Sequence, residues 1–219
     1  VITGTILAFL GFALAIVVWA MFRSPSSARI SPPAATKQVP AANPLDVNVW
    51  DAQKGDVVSI TGAAEDFSDL DFAVDRRSAY QGSVQRWIDL SGEFRGRRVY
   101  LEVYRHPQPD MIGILDERKF GLTDIGVSED RLAEIDTRQD PTNFVEFDGK
   151  KWSWESSREI KYFENEAGSG EGLYRWLFRE PDGQRLICVE KWEGEPFEVR
   201  VARRLNERDV TVYRAARGA

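Results

Sequence analysis

From Val57 to the C-terminus, apolar and polar residues alternate with a period of two, and this pattern constrains the fold more than any other feature. Successive side chains of a strand point to opposite faces, so a period of two writes one apolar and one polar face. Val99, Leu101 and Val103 share a face in residues 99–104. Tyr174, Trp176 and Phe178 share one in residues 174–178, with Arg175 projecting the other way. Residues 197–201 and 210–213 repeat the alternation. Strands of this kind, with one buried and one wet face, are the habit of antiparallel sheets.

The turn residues agree. Asp148-Gly149 lies between residues 144–147 and 150–154, a strong hairpin signal. Pro181-Asp182-Gly183 separates residues 174–178 from 185–192, and Glu193-Gly194 leads to the strand at Phe197. Only residues 128–135 depart from the β pattern. Ser128 suits an N-cap, Glu129 and Asp130 suit a first turn, and Leu132 with Ile135 makes a short apolar stripe, which predicts one short helix.

A weak internal repeat runs through the strands. Arg86-Trp87-Ile88-Asp89-Leu90, a turn at Gly92 and Gly96, and the strand 98–104 are echoed by Arg175-Trp176-Leu177-Phe178, a turn at Asp182-Gly183, and the strand 185–190. One reading is two similar β-modules, 45–122 and 141–214, with Trp87 and Trp176 as equivalent core residues. The other is an antiparallel meander that gives the pattern by chance.

Before this domain, residues 6–22 carry no charge, and an extension back to Ile2 adds only Thr3, Gly4 and Thr5 as mildly polar positions. A helix over residues 2–22 spans about 30 Å, the thickness of a bilayer's hydrocarbon core. Trp19 and Phe22 stand where an aromatic belt is expected. No positive n-region precedes the run, so the expectation is an uncleaved single-pass anchor over 1–23 rather than a signal peptide. Residues 24–44, with Pro25, Pro32, Pro33, Pro40 and Pro44 among Ser and Ala, read as a semi-stiff linker, and 45–219 as the β-rich soluble domain. Arg23, Arg29 and Lys37 all follow the apolar run, which by the positive-inside rule places the C-terminal domain on the cytoplasmic side of the inner (cell) membrane.

Charge excludes some partners. The chain carries −6; three basic and no acidic residues precede Leu45, so the rest carries −9. Such a domain is unsuited to nucleic-acid phosphates. The single cysteine, Cys188, rules out an intramolecular disulfide and sits in an apolar strand as a small hydrophobe. His106, the one histidine, lies before Pro107 in a loop. The acidic run Glu65-Asp66-Phe67-Ser68-Asp69-Leu70-Asp71 lacks the spacing of a calcium loop, and Gly168-Ser169-Gly170-Glu171-Gly172 lacks the Lys-Ser/Thr of a phosphate loop. The tryptophans are read as core packing, with an aromatic cage for a cation as the alternative. No catalytic, cofactor-binding or metal-ligating residue is assigned, and no cofactor is expected.

Lys54-Gly55-Asp56-Val57, Trp87-Ile88-Asp89-Leu90, and Tyr174-Arg175-Trp176-Leu177 with the strand at Leu186 together resemble the bacterial domain-of-unknown-function 4178 family, over about residues 45–213. The resemblance implies a β-rich, often membrane-associated domain with no established activity and no catalytic residues to carry over. Some members are encoded near polyamine-synthase-like or membrane-stress proteins. The functional expectation is a membrane-tethered, non-enzymatic binding or scaffold module with a protein partner. A binder of a small cationic ligand such as a polyamine is the alternative, and a carboxylate-based enzyme the third reading.

Overall fold

The computed structural model describes residues 47–105 and 110–216. The expected anchor and linker, and His106, lie outside the described residues. Among the described residues, no helix is long and apolar enough to cross a membrane.

Twelve strands and one α-helix are present among the described residues. Eight strands close an antiparallel barrel: β3 (Arg76–Gln81), β4 (Arg86–Phe94), β5 (Arg97–Tyr104), β6 (Asp110–Ile114), β11 (Phe197–Leu205), β10 (Arg185–Trp192), β9 (Glu171–Arg179) and β8 (Lys150–Phe163), which returns to β3. Strand β7 (Phe144–Phe147) extends the sheet on the N-terminal half of β8. A second sheet of three strands, β12 (Val210–Tyr213), β1 (Val57–Ile60) and β2 (Leu70–Ala73), lies outside the barrel.

The expected hairpins form. Asp148 and Gly149 both take positive φ between β7 and β8, the conformation a two-residue turn requires. The helix also forms, as α1 (Glu129–Arg138), with the Ser128 hydroxyl accepting from the backbone N–H of Arg131. Gly92 corrects the sequence reading: it lies inside β4, opposite Val99, and the turn is Arg95-Gly96.

The larger correction concerns the faces. The apolar face of the barrel strands points outward and is covered twice. Ile88, Leu90, Val99, Leu101, Val103 and Met111 pack against Val58, Ile60, Phe72 and Val212 of the small sheet. On the other side Trp176, Phe178, Ile187, Val189 and Val199 pack under Leu132 and Ile135 of α1. The polar face is not wet; it lines the barrel lumen. Closure of the sheet removes solvent from a face that an open sheet would expose.

Trp87 and Trp176 are therefore both buried but face opposite sides of the wall, Trp87 into the lumen and Trp176 toward the helix. Strands from both expected modules close one barrel.

Candidate functional site

An eight-stranded barrel is just wide enough to be filled by side chains or to hold one small ligand. This lumen is filled by a charged, aromatic middle layer with a cavity on either side. Arg175, central in β9, reaches Glu102 of β5 on the opposite wall: Nη1 donates to Oε2 at 2.9 Å, and Nη2 stands 2.8 Å from Oε1. Nε and Nη2 also donate to Oε1 of Glu190 on β10, Nε at 2.8 Å. The Tyr104 hydroxyl donates to Glu102 Oε2 at 2.7 Å. Desolvation works against the Arg175 cation, but Glu102 and Glu190 outweigh it and hold the guanidinium firmly protonated. Its Cζ also lies 4.9 Å from the centre of the Tyr80 ring and 5.8 Å from that of Trp87.

The aromatic residues form a continuous run. Tyr80 stacks on Trp87 with centroids 5.2 Å apart, and Trp87 on Tyr104 at 5.1 Å. Tyr80 then meets Tyr162 at 5.0 Å, and Tyr162 meets Trp192 edge-on at 5.4 Å. The expectation that the tryptophans pack in the core holds for Trp87, Trp152 and Trp176, which are buried; Trp192 is half-buried at a cavity rim.

One cavity, of about 240 Å³, lies between this layer and the end of the barrel where β3 begins. Arg76, Asp89, Tyr100, Glu102, Tyr162, Arg175, Glu190, Trp192, Glu198 and Arg200 line it, and the half-buried rim residues Arg76, Tyr100, Tyr162 and Trp192 open it to solvent. The second cavity, about 130 Å³, lies toward the β3–β4 turn and shares Arg175 as its floor.

Most charges in the first cavity are compensated. Arg200 pairs with Glu198 and covers the Tyr100 ring at 5.0 Å; Glu198 also takes Lys119 at 2.6 Å. Arg76 pairs through Nη1 with Glu164 at 3.1 Å, leaving its buried Nε without an acceptor. The Tyr162 hydroxyl bonds Ser78 Oγ at 3.0 Å. Asp89 is the exception. It is 3% exposed, and its Oδ1 is buried without a hydrogen-bond partner. Desolvation, then the charge of Glu102, pushes its carboxyl up to about 8 from 3.8, against the pull of Arg76 and Arg175. At neutral pH Asp89 is mostly a neutral acid.

A larger groove of about 600 Å³ lies outside the barrel, along the loop 62–67 and strand β11. Three of its four arginines are already paired, Arg97 with Glu65 at 2.6 Å, Arg118 with Asp116, and Arg185 with Glu180 at 2.8 Å. The lumen is the better candidate because it combines enclosure, aromatic walls and a buried carboxyl oxygen with no hydrogen-bond donor.

The residues that the sequence singles out fall partly beside this site and partly elsewhere. Cys188 faces the lumen beside the charged layer, and burial pushes its thiol well above the ordinary value. The acidic run 65–71 is a turn leading into β2, held by arginines of the β4–β5 hairpin, Asp66 by Arg95 at 3.0 Å and Glu65 by Arg97. Residues 168–170 lie in the connection from β8 to β9, with Gly168 and Gly170 at positive φ, and Glu171-Gly172 opens β9. Among the described residues no cluster of His, Cys, Asp and Glu has metal-site geometry. Alternation and motif spacing do not single out the lumen residues Asp89, Glu102 and Arg175. Their one signal is a charged residue at the centre of an otherwise strong strand, such as Ile88-Asp89-Leu90 or Leu101-Glu102-Val103.

The family described as domain of unknown function (DUF4178) matches residues 53–207, a span that includes every strand of the barrel. No curated protein and no solved structure matches the chain.

Proposed function

The chain belongs to the DUF4178 family, and from that premise we propose that its barrel is a binding module that takes a small ligand into the 240 Å³ lumen cavity. The observation that carries this reading is the pairing of an open, aromatic-walled cavity with a charged floor that is rigidly held. Arg175 is clamped by two carboxylates and two rings, so the floor is organised before any ligand arrives. The volume limits the ligand to a small one, since drug-sized pockets run to roughly 300–1,000 Å³.

Filling the cavity tests this. Ile114 lines it and is buried, so Ile114→Trp occupies the space a ligand would take. A library of small aromatic and aliphatic fragments, read by chemical-shift changes at Tyr162 and Trp192, should give hits with the wild type and none with the variant. Equal responses from both would place the ligand elsewhere.

In this proposal residues 1–23 tether the module to the membrane, residues 24–44 space it from the bilayer, and a membrane-associated protein reads out the ligand. Their support is the uncharged run 6–22 and the proline spacing. A chain beginning at residue 45 should leave the membrane fraction that the full chain occupies; retention after a salt wash would overturn the single anchor.

A further inference from the structure

The lumen cavity has an unbalanced set of partners, and the imbalance names a ligand class. Three guanidinium groups and four carboxylates line it. Arg175 is saturated by Glu102 and Glu190, and Arg200 is paired with Glu198. Arg76 reaches away to Glu164. Asp89 faces Arg76 from β3, Glu102 from β5, Arg175 from β9 and Glu190 from β10, with Tyr162 of β8 and Glu198 and Arg200 of β11 around the same space. None of these donates a hydrogen bond to its buried Oδ1.

A buried carboxylate short of donors is costly, and the group settles either as a neutral acid or beside a cation. An anion entering the cavity would meet Asp89, Glu190 and Glu198 beside arginines already paired with Glu102, Glu190, Glu164 and Glu198. An N–H-bearing cation would meet a carboxylate and the rings of Tyr162 and Trp192. Resting on the lumen as the ligand site, we propose that the ligand is a small organic ammonium ion whose N–H groups donate to Asp89, and that its capture displaces the Asp89 proton.

The proton balance is simple. The free protein holds a neutral carboxylic acid; the ammonium arrives already charged; the Asp89 O–H proton leaves to solvent, and an ammonium–carboxylate pair remains. Binding therefore strengthens as pH rises toward 8, where Asp89 ionises unaided.

The test uses the full chain in detergent and three probes of one shape: benzylammonium, benzyl alcohol and benzoate. Calorimetry near neutral pH should show benzylammonium binding at least about tenfold more tightly than benzyl alcohol, with benzoate weakest. Heats measured in two buffers of different ionisation enthalpy should show proton release with the ammonium alone. Asp89→Asn should bring benzylammonium and benzyl alcohol to equal affinity. If that variant does not fold, the pH dependence of the wild type decides the matter: affinity for the ammonium must rise from pH 6 to 8, and affinity for the alcohol must not. Equal binding of ammonium and alcohol by the wild type overturns the cationic class while leaving the lumen as the site. No response from any probe at Tyr162 or Trp192 overturns both.

Discussion

Asp89 and Arg175 show how much one residue can carry when its surroundings exclude water. The folded state raises the Asp89 carboxyl from 3.8 to about 8, so between those values the folded chain binds a proton that the unfolded chain releases. Stability contributed by this protonation is complete below about pH 4 and is lost as pH climbs through about 8. The stability difference between Asp89→Asn and wild type should therefore move in the variant's favour over that range, by on the order of a few kcal/mol. Urea denaturation at closely spaced pH values measures it; parallel profiles for the two proteins would mean Asp89 titrates normally. Arg175 behaves oppositely under mutation. Arg175→Met removes the charge that balances Glu102 and Glu190 and leaves two carboxylates in the lumen, a loss of about 3–5 kcal/mol. Adding Glu102→Gln and Glu190→Gln should recover part of that loss, which denaturation of the single and triple variants would reveal.

Contact between elements depends on small spaces as much as on apolar area. Strand β4 passes beneath β2 at Gly92, where an added Cβ would stand 2.3 Å from the Ala73 carbonyl oxygen and 2.6 Å from the Phe72 ring. The clash is with backbone, so a rotamer change cannot relieve it. Gly92→Ala should cost at least about 2 kcal/mol and loosen the small sheet from the barrel. Amide exchange in β1, β2 and β12 should accelerate more than in β9 and β10; uniform acceleration would show that the contact does not act locally. Helix α1 is held to the opposite wall by polar bonds as well as by Leu132 and Ile135. Asp136 accepts from Tyr174 Oη at 2.6 Å and from Ser157 Oγ.

At the scale of the whole molecule the barrel closes through two short seams. Strands β3 and β8 share three residue pairs, and β6 and β11 share three, whereas β4 and β5 share eight. Seams with few ladder bonds are where local opening begins. Native-state hydrogen exchange should find amides of residues 79–81 and 111–113 opening at lower free energy than those of residues 99–103. The reverse order would mean that the barrel opens elsewhere.

Much of this fold is legible in the chain. Alternation places the strands, Asp148-Gly149 and Pro181-Asp182-Gly183 place the turns, and Ser128 with Leu132 and Ile135 places the helix, because each signal acts over a few adjacent residues. The period of two also separates Arg175 from Trp176 and Glu102 from Leu101 and Val103. It cannot say which face is inside, since a polar face reads the same whether it meets water or a closed lumen. The bulge between Trp154 and Ser156 adds a further shift: Trp152 before it packs under the helix, while Ile160 and Tyr162 after it face the lumen. Closure brings Arg175 across to Glu102, 73 positions away in the chain. That long-range pairing turns charged residues of ordinary appearance into a buried network and leaves the Asp89 Oδ1 without a donor. The residue pattern determined the strands by itself; the desolvation that gives Asp89 and Arg175 their chemistry exists only once the barrel has closed around them.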